Sequence, residues 1–259
     1  MSEPWDVPES PEGRENLRNL VEEYRASGQM RELGLSLTKL ASLVKQIGTG
    51  TDDGAFTAGL GYAAEAIQYL RATEDRRSLA TVLRVGAGFT FGQPPADEWL
   101  AEAKAISVEL GDTAGEGWAL FASSAWNKES HDELLDQAKE RFWESGDLQG
   151  VAAAEVRQGV SGRDYQAIVR GAEIYESLGL SRRAEESFAM AAQFGSDDLS
   201  LEQQEQLLLR SVDLAQRRGA VERLWLYYNN LERIFRSARR TDEAKKYKAL
   251  KSQFPKPKF

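Results

Sequence analysis

The sequence predicts an all-α fold, an array of about six antiparallel helix hairpins, on three observations. Amphipathic helical periodicity runs through nearly all of residues 14–253, with almost no alternating β-branched stretches that would indicate strands. This region contains no proline except Pro94 and Pro95, so little in it would interrupt a helix. A short turn motif recurs at intervals of 33 to 46 residues, and such spacing is typical of a repeat of two helices.

The individual helices follow from this periodicity and from the short Gly, Asp and Ser segments that interrupt it. The thirteen predicted helices span residues 14–27, 30–47, 54–72, 75–90, 96–110, 113–127, 131–145, 148–160, 164–178, 181–194, 199–217, 220–237 and 241–253. Residues 1–13 lack periodicity and contain three prolines, so we predict an extended N-terminal arm in which Trp5 docks on the first helices. A helical repeat domain at 14–253 and a basic C-terminal tail at 254–259 complete the chain.

The recurring turn has a structural explanation. Five of its six copies have a central glycine, which can adopt the left-handed conformation that ends a helix. These glycines are Gly28, Gly111, Gly146, Gly179 and Gly219. Nine residues before the third residue of the turn, the last five copies carry a small side chain, which lets a neighbouring helix approach closely. These small residues are Ala66, Ala103, Ala138, Gly171 and Ser211.

Two segments carry the spacing of a known repeat. The first places Gly179, Ala184, Phe188 and Ala191 across a turn and a second helix, and the second places Tyr228, Leu231, Phe235 and Ala244 across one whole unit. With this spacing the chain resembles the tetratricopeptide repeat family over residues 14–253. The segment Leu110-Gly-Asp112, followed by a Gly- and Ala-rich helix, is similar to the longer repeats of bacterial regulators.

This resemblance implies a right-handed superhelix, a TPR-like α-solenoid, with a concave groove that binds a protein or peptide segment. It also places Asn229, Arg233 and Arg236 in groove-facing register. An Asn amide can bond a peptide main chain and an Arg guanidinium can grip a carboxylate, so we predict these three residues as partner-binding. The alternative interpretation is a solvated basic helix face.

The distribution of charge also points to the C-terminal end of the chain as the binding region. The formal net charge of −8 is unevenly distributed, because residues 205–259 contain 14 basic and six acidic residues and carry +8, whereas the rest carries −16. Aromatic residues cluster in the middle of the chain at Trp99, Trp118, Phe121, Trp126, Phe142 and Trp143. Core packing is the expectation for most of them, and Trp126, near a helix end, is the one we predict to line a groove.

Composition argues against an enzyme. The chain has no cysteine and one histidine, His131, which excludes thiolate metal sites and a cysteine nucleophile. His131 follows Ser130 at a predicted helix N-terminus, and no nucleophile is marked out beside it. We therefore predict no catalytic residue, no metal site and no cofactor, and an enzyme would require carboxylates gathered in a deep pocket.

The sequence accordingly predicts a non-catalytic, protein- or peptide-binding helical-repeat adaptor or sensor of bacterial origin. The alternative function is nucleic-acid binding through the basic C-terminal third, whose lysines would give a strong dependence on salt. The tail from Phe254 to Phe259 could also dock in a groove of its own or of a neighbouring copy, and homo-oligomerisation remains open. The acidic N-terminal residues and the lack of a long apolar run predict a cytoplasmic protein without a membrane segment.

Overall fold

A computed structural model describes residues 11–47, 53–90 and 92–256. Over these ranges the chain forms thirteen helices and no strand, which confirms the predicted all-α class and the predicted number of helices. The helices are α1 (Pro11–Ser27), α2 (Met30–Ile47), α3 (Asp53–Arg71), α4 (Arg76–Ala87), α5 (Ala96–Glu109), α6 (Thr113–Ser124), α7 (His131–Ser145), α8 (Leu148–Gly162), α9 (Tyr165–Ser177), α10 (Ser181–Phe194), α11 (Leu201–Arg217), α12 (Val221–Ser237) and α13 (Thr241–Lys251).

Helix boundaries differ from the prediction by no more than three residues. The helix α1 begins at Pro11 and not at residue 14, because proline is favoured in the first turn, where its missing N–H has no helical partner. Residues 11–13 of the expected arm are therefore helical, and residues 1–10, including Trp5, lie outside the described ranges. The tail is described as far as Lys256.

The chain divides into two compact units, Met1–Gly146 and Asp147–Phe259, within the stretch that was predicted as one repeat domain. In the first unit each helix from α1 to α7 packs on the next, α2 also contacts α4, and α4 also contacts α6. Its core is dominated by leucines, with Leu17, Leu37, Leu40, Leu70 and Leu83 almost completely buried.

The second unit follows the same plan with α8 to α13, each helix packing on its successor. Its C-terminal core is aromatic and contains Tyr227, Tyr228, Phe235 and Tyr247 together with Leu231. In both units the sequential packing of helices is consistent with an α-solenoid.

The turn glycines and small helix residues behave as the repeat predicts. All five turn glycines are left-handed, with φ between 62° and 71°. Ala66, Ala103, Ala138 and Ser211 are completely buried. Gly171 lies against α8 so closely that a Cβ atom would be 2.8 Å from the carbonyl oxygen of Ala152. The repeat is thus explained by close packing of helices.

Among the described residues, no helix combines the length and the apolar character needed to cross a membrane.

Candidate binding site on helices α12 and α13

The last two helices are held together by aromatic rings. Tyr247 of α13 stacks on Phe235 at 5.5 Å and on Tyr228 at 6.4 Å between ring centroids, and both partners lie on α12. The hydroxyl of Tyr247 donates to Glu205 of α11, and burial followed by this hydrogen bond raises the pKa of Tyr247. The two helices therefore present their polar side chains on a fixed surface.

A connected polar cluster occupies one face of α12. Asn229, Glu232 and Arg236 are spaced three and four residues apart, so their side chains share that face. Lys251 at the end of α13 donates to the Asn229 Oδ1 atom at 3.0 Å and also to the carboxylate of Glu232. Arg236 donates to the same carboxylate. Glu232 is buried, so both cations compensate a carboxylate with little access to water.

The described part of the tail lies along the same helix. Phe254 stacks on Tyr228 with ring centroids 5.7 Å apart and an interplanar angle of 15°. The Nζ atoms of Lys251 and Lys256 lie 5.2 and 5.8 Å from the centroid of the Trp225 ring. Cation–π attraction and ring stacking thus hold residues 251–256 against α12.

Beside this cluster lies a depression of about 210 Å³ between the end of α12 and the beginning of α13, hereafter the cationic depression. Four of its lining side chains are basic, namely Arg236, Arg239, Lys245 and Lys248. Glu232, Thr241 and Ala244 complete its lining. The carboxylate of Glu232 is already paired with Arg236 and Lys251, so the depression carries an excess of positive charge.

The basic residues of the depression differ in how well they are neutralised. Lys245 forms an exposed ion pair with Asp242 at 3.6 Å, and Arg236 pairs with Glu232. Arg239 and Lys248 have no acidic partner within the described parts of the chain. Most other arginines of the second unit do have one, so these two residues are the available cations of the depression.

The structure places the four predicted partner-binding residues in two locations. Asn229, Arg233 and Arg236 lie together on α12, as their spacing predicts. Arg233 is exposed, whereas the amide oxygen of Asn229 and the guanidinium of Arg236 are engaged within the protein. Trp126 follows α6 in the first unit, where its side chain covers Gly92, and the residue is 37% exposed.

Glu232 and Arg239 are the important residues that sequence reasoning missed, and Lys251 was considered only as one of the lysines of the basic C-terminal third. The four-residue spacing of Glu232 and Arg236 was a signal for their ion pair. Arg239 occupies the left-handed turn position that glycine occupies elsewhere, and this departure from the repeat could have been found. Lys251 had no local signal, because its contacts lie 19 and 22 residues away.

The single histidine, His131, makes a contact with the main chain. The Nδ1 atom of His131 donates to the carbonyl oxygen of Ser124 at 2.7 Å, which anchors the loop between α6 and α7. In the described ranges, no three potential ligands among His, Asp and Glu side chains are placed to hold a metal ion. Among known proteins, no family model and no curated protein matches this chain.

Proposed function

We propose that this protein is a non-catalytic helical-repeat adaptor or sensor that binds a protein or peptide segment through α12 and α13. The observation that carries the proposal is the polar surface where Asn229, Glu232, Arg236 and Lys251 form one network beside the exposed Arg233. A side-chain network on two rigidly packed helices is organised before a ligand arrives, which lowers the entropic cost of binding.

The resemblance to tetratricopeptide repeats supports this proposal, since that family presents such surfaces to extended segments. Within this proposal the helix pairs form a right-handed superhelix, and the protein acts in the cytoplasm through its partners. Trp126, in the first unit, is a second proposed contact, because tryptophan is enriched among residues that dominate binding energy.

To test this, the tagged full-length protein and its Arg233→Ala/Arg236→Ala variant are each used to capture partner proteins from cells. Quantitative mass spectrometry then compares the two sets of captured proteins. We expect the variant to lose specific partners. An Arg77→Ala/Arg217→Ala variant removes the same charge from two exposed arginines elsewhere and should retain them. Identical partners for all three proteins would refute the proposal, provided that circular dichroism shows equal helix content.

Nucleic-acid binding is the second candidate, favoured by Lys245, Lys246 and Lys248, which are exposed side by side on α13. A protein that neutralises several phosphates loses affinity steeply as salt increases. Titration of labelled single-stranded RNA at several salt concentrations tests this function. Failure to bind RNA, or binding that is insensitive to replacement of these lysines, would exclude α13 as a nucleic-acid site.

A further inference from the structure

We infer that the cationic depression takes the side-chain carboxylates of an acidic protein segment, and that Arg239 is the residue that recognises them. The inference rests on the proposed function and names the chemical class of the bound segment. It is carried by two independent observations, the unneutralised charge of the depression and the backbone conformation of Arg239.

The charge of the depression defines the ligand. Arg239 and Lys248 lack an acidic partner within the described ranges, although they line the same depression. Asp242 and Glu243 lie nearby in the first turn of α13, but Asp242 pairs with Lys245 and Glu243 pairs with Arg240. A carboxylate that enters the depression therefore meets two free cations, and a guanidinium can hold it with two parallel hydrogen bonds.

The backbone of Arg239 is the second observation. Its φ is 59°, in the left-handed region that disfavours a side chain. Five other turns between helices place glycine there, and the turn of Gly219 has the same hydrogen bonds, so the turn itself does not require arginine. Non-glycine residues held in this region cluster at binding sites, where the surrounding structure maintains the strain. Arg163 shares this conformation but does not line the depression, so it is the left-handed backbone together with the unneutralised charge that marks out Arg239.

The shape of the surface favours a peptide over a nucleic acid. Binding of a single strand combines basic side chains with aromatic rings on which bases stack. No aromatic side chain is among the described lining of the depression, and the rings that join α12 to α13, Phe235, Tyr228 and Tyr247, are buried. Trp225 lies under two lysine ammonium groups. The described lining of the depression offers charge and hydrogen bonds but no exposed ring.

The test uses a fluorescein-labelled octaglutamate peptide and the full-length protein, with fluorescence anisotropy at low ionic strength. We expect Arg239→Gly and Lys248→Ala each to weaken binding by about fivefold, which corresponds to one lost ion pair at a rim. Arg163→Gly is the matched control, because Arg163 also has a left-handed φ, of 55°, in the turn after α8. It should leave the affinity unchanged.

A second measurement separates recognition from folding. Both glycine variants should raise the midpoint of urea unfolding, because glycine relieves the strain of a left-handed residue. Loss of peptide binding in a more stable Arg239→Gly protein would thus exclude misfolding as its cause. Equal affinity in the wild type and this variant would overturn the inference, as would failure of the wild type to bind octaglutamate. If octathymidylate binds more tightly than octaglutamate, and its binding also depends on Arg239, the ligand of the depression is a nucleic acid and not a peptide.

The result is distinguishable from failure of the proposed function. If the Arg233→Ala/Arg236→Ala variant loses its cellular partners while Arg239→Gly keeps both partners and octaglutamate, the proposed function stands and the acidic ligand is wrong. If octaglutamate binds through Arg239 but no partner depends on Arg233 and Arg236, the inference stands and the wider α12 surface is not the partner site.

Discussion

The hydroxyl of Tyr227 donates a hydrogen bond of 2.6 Å to the carboxylate of Glu185, a residue that is completely buried. Arg218 and Arg223 donate to the same carboxylate at 3.0 and 3.2 Å. Burial is the main cause that raises the pKa of Tyr227 above its ordinary 10, so its hydroxyl remains a donor even in alkaline solution. One carboxylate of α10 thus binds α12 and the turn that precedes it.

We predict that Glu185→Gln lowers the free energy of unfolding by about 3 kcal/mol, because two partly buried arginines lose the charge that compensates them. Tyr227→Phe removes one hydrogen bond and should cost about 1 to 2 kcal/mol. Urea denaturation followed by circular dichroism measures both. Glu186→Gln is the matched control, since the Glu186 side chain is 36% exposed and should contribute less than about 1 kcal/mol. Equal losses at positions 185 and 186 would contradict the assignment.

Gly171→Ala should destabilise the protein by about 1 to 3 kcal/mol, because the added methyl group overpacks the contact between α8 and α9. The new Cβ would lie 2.6 Å from a methyl carbon of Val156 and 2.8 Å from a main-chain oxygen that cannot easily move. Gly61→Ala, also within a helix, has open space around the new atom and should increase stability by up to about 1 kcal/mol. The midpoints of thermal unfolding of the two variants are compared with that of the wild type. If both midpoints shifted in the same direction, the close contact between α8 and α9 would be contradicted.

Two neighbouring aromatic residues of α7 should respond very differently to replacement. Phe142 is completely buried and packs on Trp118 at 5.0 Å, whereas Trp143 is 56% exposed. Phe142→Ala should cost about 3 to 5 kcal/mol through lost burial and a new cavity. Trp143→Ala should change stability by less than about 1 kcal/mol. A large loss for Trp143 in urea denaturation would show that its ring is covered in solution.

The carboxylate of Asp75 should make the free energy of unfolding depend on pH in the acidic range. Burial would raise the pKa of its carboxyl group, but hydrogen bonds from Ser78 and the pairing with Arg31 outweigh burial and lower the pKa below its ordinary 3.8. A group with a lowered pKa in the folded state stabilises the protein above its unfolded pKa and loses that contribution as the pH falls through the folded value.

Asp75→Asn keeps the cap of α4 but removes the charge. We therefore expect the stability difference between wild type and this variant to shrink as the pH falls from about 6 to about 2. Urea midpoints measured across this range provide the test. A difference that stays constant with pH would mean that the negative charge of Asp75 does not stabilise the fold.

Lys251→Met should lower the free energy of unfolding by about 2 kcal/mol, because the buried carboxylate of Glu232 then depends on Arg236 alone. Lys245→Met serves as the control, since the Lys245 side chain is 74% exposed and its ion pair should contribute less than about 1 kcal/mol. Chemical denaturation distinguishes them. If both variants were as stable as the wild type, the cluster on α12 would not depend on Lys251.

The sequence predicted the secondary structure well because its signals are local. Helical periodicity, the turn glycines and the Asp residues that precede α4, α6 and α8 all act within a few residues, and Asp112 and Asp147 cap their helices as such residues do. The buried small residues were also predictable, since a fixed position in a repeat of helices implies a fixed packing contact. The binding surface was predicted only as a helix face bearing Asn229, Arg233 and Arg236.

The sequence by itself determined the helices, their turns and the closely packed small residues of this protein. Only the tertiary structure decided that Phe142 is buried beside an exposed Trp143. It also decided that Glu185 accepts hydrogen bonds from residues 33 and 42 positions away, and that Lys251 donates a hydrogen bond to the Asn229 side chain. The physical reason is the range of the forces involved. Backbone hydrogen bonding and turn geometry are set by adjacent residues, whereas burial and charge pairing depend on which distant side chains the packed helices bring together.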